Sequence, residues 1–214
     1  CPLMVCPDRS RRSRRNRACR TTPVSPAIIY DWRNRAANTL IFWRIDLIRT
    51  LEGVTPKVAD TAWVSEFAYV VGNVEIGEYA SIWPGVTIRG DSPKTIVIGD
   101  YVNIQEGSVI HGDGLTIEEH VSVGHSVVVH CDRVGRGSLL GNNCTVLNRV
   151  TLGENCLIAA NTVVLGGTQV PARSFMTGAP GQVKREVTDK QIAQMGHTNE
   201  ELVKRAKSFK DSGL

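Results

Sequence analysis

From Val58 onward an aliphatic residue returns every six positions: Val58, Val64, Val70, Ile76, Ile82 and Ile88. The beat resumes at Ile98, Ile104 and Ile110, then at Ile117, Val123 and Val129, and then from Val134 through Leu140, Val146, Leu152, Ile158, Val164 and Val170 to Met176. Small or β-branched residues recur four places later, among them Ala62, Ala68, Val86, Ser108, Val127, Cys144 and Cys156. A helix needs a period near 3.6 and an ordinary strand a period of 2, so neither explains six. The hexapeptide repeat of a parallel β-helix does. The pattern predicts an all-β, left-handed parallel β-helix of about seven coils, three hexads to a triangular coil. Residues about eighteen apart then stack at the inter-strand spacing of roughly 4.8 Å. Because the aliphatic column fills the interior, chemistry belongs on the outer faces and where the repeat breaks.

The flanks have other patterns. Residues Asp31 to Leu51 can form a helix with Trp32, Ala36, Leu40, Trp43, Leu47 and Leu51 on one face, ended by the turn residues from Gly53 to Lys57. Arg44, Asp46 and Arg49 interrupt any run long enough to span a bilayer. Such a helix suits a membrane surface, with its Trp rings at the headgroup level, or the outside of the chain's own prism. After Gly178-Ala179-Pro180-Gly181 the chain reads as helical again, with Thr188 as N-cap and Gly196 as a break between two helices. The organisation expected is therefore a basic arm and amphipathic helix over 1–55, the β-helix over 56–181 and a helical tail over 182–214.

Charge sharpens the reading of the arm. The 214 residues carry a net charge of +4. Residues 1–55 hold eleven Arg, no Lys and four acids, or +7, which leaves −3 for the remainder. Arg9 to Arg20 has the Ser- and Arg-rich, acid-poor composition of a mitochondrial transit segment. If the arm is retained, its mutual repulsion calls for an acidic counterpart, an anionic lipid surface or the acidic face of a partner subunit. No base-reading motif accompanies it, so nucleic acid is not expected as a partner. The six cysteines do not form a disulfide framework. Cys144 and Cys156 fall in the small inward slot, and Cys131 points away from the residue before it.

Ile98 to Cys131 carries four of the five histidines. His111 and His130 are nineteen apart and each follows an inward aliphatic, so they stack on one outer edge, close enough to share an ion. His125 lies two places after Val123, on another side of the triangle. It cannot reach that edge within its own chain, but a neighbouring prism in a threefold assembly brings its copy there. Three neutral imidazoles with a fourth position open are the donor set of a catalytic zinc site. Arg89 and Asp91 are placed to pair across the trimer contact. Gln105 and Glu106 are placed to orient a metal-bound species or a small polar substrate. His120 lacks the register and His197 lies in the tail, so neither is expected as a ligand. The repeat breaks at Arg89–Val97, at Gly112–Thr116 and by one residue between Val129 and Val134, around these residues.

The sequence IRGD, then NIQEGSVIH, then VGHSVVVH, a GAPG turn and REVTDKQI resembles the γ class of carbonic anhydrases. It is most similar to the mitochondrial members that form a trimer on the matrix side of respiratory complex I, NADH:ubiquinone oxidoreductase. The likeness covers about residues 58 to 195. It implies that His111, His125 and His130 hold zinc, or another divalent metal such as iron or cobalt, with Arg89, Asp91, Gln105 and Glu106 as polar site residues. It implies an activated water that adds to carbon dioxide to give bicarbonate. The implied partners are homologous subunits and the membrane arm of complex I, at the inner membrane. Departures weaken proton transfer: Glu106 replaces Asp, Cys131 replaces Gly, Gly141-Asn142-Asn143 replaces Gly-Met-Gly, Ser92 replaces an acid, the loop after His111 is short, and no aromatic residue marks the tail helix. The reading is thus an accessory subunit whose turnover is low or absent. An active zinc carbonic anhydrase and a hexapeptide acyltransferase are the alternatives.

Overall fold

A computed structural model describes residues 47–214, and the Arg-rich arm and most of the predicted amphipathic helix lie outside the described residues. The chain winds into a triangular β-helix of three sheets. The first face stacks seven parallel strands, from Ile48–Arg49 through Tyr69–Gly72, Thr87–Gly90, Val109–His111, Val128–Val129 and Thr145–Val146 to Val163–Val164. The second runs from Lys57–Val58 to Gln169–Val170, also in seven strands. The third runs from Trp63–Val64 to Ser174–Thr177 and is closed by an eighth strand, Gln182–Glu186, paired antiparallel.

The hexad aliphatics stack in register, because a one-residue slip would turn a whole column outward. On the first face Val70 pairs with Ile88, Ile88 with Ile110, Ile110 with Val129, Val129 with Val146 and Val146 with Val164. Equivalent columns join Ile76, Ile98, Ile117 and Val134, and Ile82, Ile104, Val123 and Leu140. From Val70 to Met176 every one of these positions is buried, as are the small residues four places later, including the thiols Cys144 and Cys156. Cys131 is buried as well, facing inward while His130 faces out. Burial pushes the Cys131 and Cys144 thiols up to about 12, so both stay protonated and unreactive.

Three places after an inward residue the chain turns a corner through positive φ, at Gly85 and Gly107 but also at Tyr79, Tyr101, His120, Ser126, Asn143 and Asn155. All three breaks in the repeat fall on one corner, between the first face and the second. Ile88 to Ile98 takes ten steps, Ile110 to Ile117 seven and Val129 to Val134 five, against six elsewhere. Loops can therefore grow and shrink at that corner without disturbing the registers on either side.

Two expectations need correction. Predicted as the last turn of a helix, Ile48–Arg49 is instead a strand under Tyr69–Gly72, with Ile48 packed against the column below Val70. Leu51 and Val54 then exchange backbone hydrogen bonds of 3.0 and 2.9 Å around a turn at positive φ. The open end of an apolar column offers burial to an apolar residue next to it, which outweighs a helical spacing. The tail is one helix, Asp189–Asp211, with no break at Gly196. A Thr188–Gln191 capping box starts it, and buried Met195 and Asn199 anchor both sides of the glycine. Near its end Phe209 packs on the third face, 5.3 Å from both Trp63 and Trp83, which sit 5.0 Å apart. At 1.5 Å per residue the helix is about 35 Å long, about the height of seven coils. No helix among the described residues is long and apolar enough to cross a membrane.

Candidate metal centre

The first face carries candidate residues at both of its edges. At the edge leading to the second face, Arg89 and His111 are register partners and His130 follows Val129, one coil further along. The His111 and His130 rings lie 4.9 Å apart, inclined at 40°. At the opposite edge, entered from the third face, Ile104 pairs with Val123, so Gln105 and Glu106 stack on Gly124 and His125. His125 precedes His130 by five residues that turn the corner at Ser126 and then cross the first face, a span of at most roughly 16 Å at about 3.3 Å per residue. The seven proposed residues thus form two half-sites separated by the width of one face. No group of three His, Cys, Asp or Glu that could hold a metal occurs among the described residues of a single chain.

Each half-site is organised by a carboxylate. Asp91 lies in the ten-step loop and pairs with Arg89 of its own chain, where pairing across a subunit contact was expected. Only Gly90 separates the strand residue Arg89 from Asp91, so the local contact forms without a neighbour. Asp91 Oδ1 also lies 2.9 Å from His111 Nε2. That hydrogen bond, and then the Arg89 guanidinium, hold Asp91 below the usual carboxylate range, so the carboxylate accepts and the imidazole donates. His111 is therefore fixed as the tautomer whose Nδ1 lone pair is free. His130 has no side-chain hydrogen bond or ion pair among the described residues.

At the other edge His125 Nδ1 lies 2.8 Å from Glu106 Oε2. This oxygen is buried and lacks a well-aligned hydrogen bond. A carboxyl beside the Nδ1 of a half-exposed imidazole is the arrangement of a ligating histidine and its supporting acid. The His125 backbone N–H donates to Asn142 Oδ1 at 3.1 Å, which fixes the corner from the far side. Three imidazoles with two nearby carboxylates fit a borderline-soft divalent ion.

A clasp not singled out from the sequence joins two of the repeat breaks. Asp113, two residues after His111, accepts from Ser92 Oγ and pairs with Lys94 Nζ at 3.0 Å. The Ser92 hydroxyl and then Lys94 hold its carboxyl below the usual range. An acid in the loop directly after a candidate ligand was the available signal, but its partners come from another coil. His120 is instead part of an aromatic stack at the remaining corner, 4.8 Å from Tyr101.

The family model for the bacterial transferase hexapeptide (six repeats) matches residues 55–90 and 133–166. A carbonic anhydrase of Geobacillus kaustophilus is 36% identical over 167 residues, which cover 77% of this chain and 91% of that protein. The mitochondrial gamma carbonic anhydrase 1 of Arabidopsis thaliana is 34% identical over 157 residues, 68% of this chain and 57% of that protein. Among solved structures, a hexapeptide transferase family protein from Anaplasma phagocytophilum superposes with a TM-score of 0.74 at 29% identity, over 77% of this chain and 98% of that one.

Proposed function

Because the chain belongs to the γ-carbonic-anhydrase-like family of hexapeptide-repeat proteins, we propose that it assembles as a trimer with one divalent metal site at each subunit interface. His111 and His130 of one protomer and His125 of the next hold the ion, zinc by preference, with iron or cobalt as substitutes. The observation that carries this reading is the division of the ligands between the two edges of the first face. If three first faces turn toward a common axis, the His125 edge of each prism meets the His111 and His130 edge of its neighbour.

A zinc ion held by three imidazoles supplies an activated water for addition to carbon dioxide. The residues of the chain prepare the surroundings. Asp91 holds the His111 tautomer, and the Glu106 carboxyl lies against the His125 ring. The Gln105 carboxamide, on the His125 edge, orients a small polar substrate. Arg89 keeps Asp91 ionised.

Proton removal is the weak step. The Asp113 carboxylate is the acid that follows His111 in the chain, and Ser92 and Lys94 already occupy it. An ionised, clasped acid is a poor carrier at neutral pH. We therefore place the protein as a low-turnover accessory subunit in mitochondria, on the matrix side of the inner membrane, in a trimer with homologous subunits on the membrane arm of respiratory complex I. The mitochondrial name of the Arabidopsis relative and the Arg-rich start of the sequence support this placement. So does the mismatch between an intact ligand set and an occupied proton carrier. The test is metal analysis and carbon dioxide hydration on the trimer purified from its native membranes, with its co-purifying proteins identified. About one zinc per interface, slow hydration abolished by His130→Ala, and complex I subunits in the same particle are expected. Fast metal-dependent hydration by a free trimer would replace the accessory role with an ordinary carbonic anhydrase.

A further inference from the structure

The corner between the second and third faces lies opposite the first face, away from both half-sites. Its positive-φ positions carry an aromatic ladder. Tyr79 and Tyr101 stack with ring centroids 5.1 Å apart and planes 12° from parallel, and Tyr101 and His120 at 4.8 Å and 2°. The register that joins Val58, Ile76, Ile98 and Ile117 places Thr61 one coil before Tyr79 in this column. Tyr79 N donates to Thr61 Oγ1 at 2.9 Å, which fixes that stacking. The ladder therefore stops at Tyr79, with a threonine where the next ring would be.

The space left by the missing ring belongs to a groove of about 470 Å³ between the ladder and the C-terminal helix. Trp63, Tyr79, Tyr101 and Val203 line it, and Lys210 stands at its edge. Tyr79 is 46% exposed, so one ring face is accessible from solvent. The volume falls in the range of small-molecule sites. Asp60 and Asp211 line it as well, Asp60 without an ion pair among the described residues, and the lysines beside them differ. Lys204 is paired with Glu201 and Lys207 with Asp211. The Lys210 ammonium bonds only backbone carbonyls, those of Asp60 and of Ala62, the latter at 2.8 Å. Its positive charge has no carboxylate in salt-bridge contact among the described residues, and its remaining N–H is available beside the groove.

We propose that this groove binds a planar aromatic anion. Its ring continues the ladder as the rung before Tyr79, and its acidic group meets Lys210. Stacking on a tyrosine favours ring ligands over aliphatic ones. The single unpaired ammonium favours a carboxylate or phosphate attached to that ring over a neutral ring. Adjacent coils are about 4.8 Å apart, and Thr61 is shorter than a ring, so a stacked ring has room beyond it over the accessible face of Tyr79. Since the groove faces away from the proposed trimer axis, assembly leaves it open.

The experiment is calorimetric titration of the full-length trimer with two probes, adenosine monophosphate and anthranilate, using adenosine and inorganic phosphate as controls. At least one probe is expected to bind with a Kd below about 1 mM and at least tenfold more tightly than either control. Tyr79→Asn removes the ring while keeping a residue that other corners already use at positive φ, such as Asn155. This variant is expected to weaken the probe at least tenfold with little change in melting temperature. Lys210→Met is expected to do the same, and Lys210→Arg to retain most of the binding even if the Met variant proves unstable. Binding of neither probe more tightly than inorganic phosphate would overturn the proposal, as would undiminished binding by Tyr79→Asn. His130→Ala is expected to leave the titration unchanged, which separates this site from the metal centre.

Discussion

A methyl group added at Gly124 would lie 2.5 Å from Asn142 Oδ1 and 2.9 Å from the Leu140 carbonyl oxygen. Asn142 Oδ1 is the atom that receives the His125 backbone N–H, so the steric conflict falls on the contact that sets the histidine. Gly124→Ala is expected to cost about 1–3 kcal/mol, the usual range for overpacking against backbone. More tellingly, it should release metal from the trimer while the corner bearing His111 and His130 keeps its structure. Zinc content and a thermal melt on the same preparation check this. If the variant melts lower but retains full zinc, the alignment of His125 does not depend on this corner. The same residue-level logic explains why His125 is followed by Ser126 at positive φ: the corner turns directly beyond the ligand, and Glu106 beneath it occupies the equivalent position.

Among the elements, what the sequence reveals and what it conceals divide by range. The three columns are legible because each sheet demands an inward aliphatic at the same place in every coil, and Ile88, Ile110 and Val129 meet that demand independently. The stacking of His111 and His130 was legible for the same reason, since a residue directly after an inward position has its direction fixed by the pleat. Ile48 was not legible. It falls within a run whose Leu40, Trp43, Leu47 and Leu51 have helical spacing, and only the exposed end of the column makes a strand the better use of its side chain. The Ser92–Asp113–Lys94 clasp and the Tyr79–Tyr101 ladder were hidden because both join positions where hexads impose no residue type. Glu118 shows the energetic side of such cross-coil pairs. Burial by itself would raise its pKa, but the Arg133 hydrogen bond at 2.7 Å, the Arg136 backbone N–H at 2.9 Å and both guanidinium charges outweigh that and lower it. A carboxyl depressed on folding contributes stability that is fully present above its unfolded value, about 4.3, and is lost as pH falls through the folded value. Glu118→Gln is expected to lower stability by about 1 kcal/mol at pH 7 and to flatten the loss on acidification below pH 4. Denaturant melts at pH 7 and pH 3 measure both effects. An unchanged acid limb would mean that Glu118 is not among the groups that drive it.

For the whole molecule, the proposed division of ligands between edges would make oligomerisation and metal binding one equilibrium, because a ligand that binds only the assembled form stabilises it by mass action. Removing zinc with a chelator should therefore lower the melting temperature and make it depend more steeply on protein concentration. A stricter test uses the symmetry itself. His125→Ala protomers keep His111 and His130, and His130→Ala protomers keep His125, so homotrimers of either variant lack every complete site. In trimers assembled from an equal mixture, an interface is complete only when a His125→Ala protomer supplies the pair and a His130→Ala protomer supplies the third ligand. Random assembly satisfies that at about a quarter of interfaces in a cyclic trimer. Zinc retained by the co-refolded mixture should thus approach about a quarter of the wild-type content, while each variant alone holds almost none. A site built within one chain predicts no such recovery at any mixing ratio. A site closed by two copies of the same edge would be restored in a different proportion, since its complete interfaces would vary with the square of one variant's fraction instead of the product of both. Titrating the mixing ratio distinguishes these cases. Recovery that peaks at equal proportions and falls away symmetrically on both sides is the signature of two unlike edges meeting around a threefold axis.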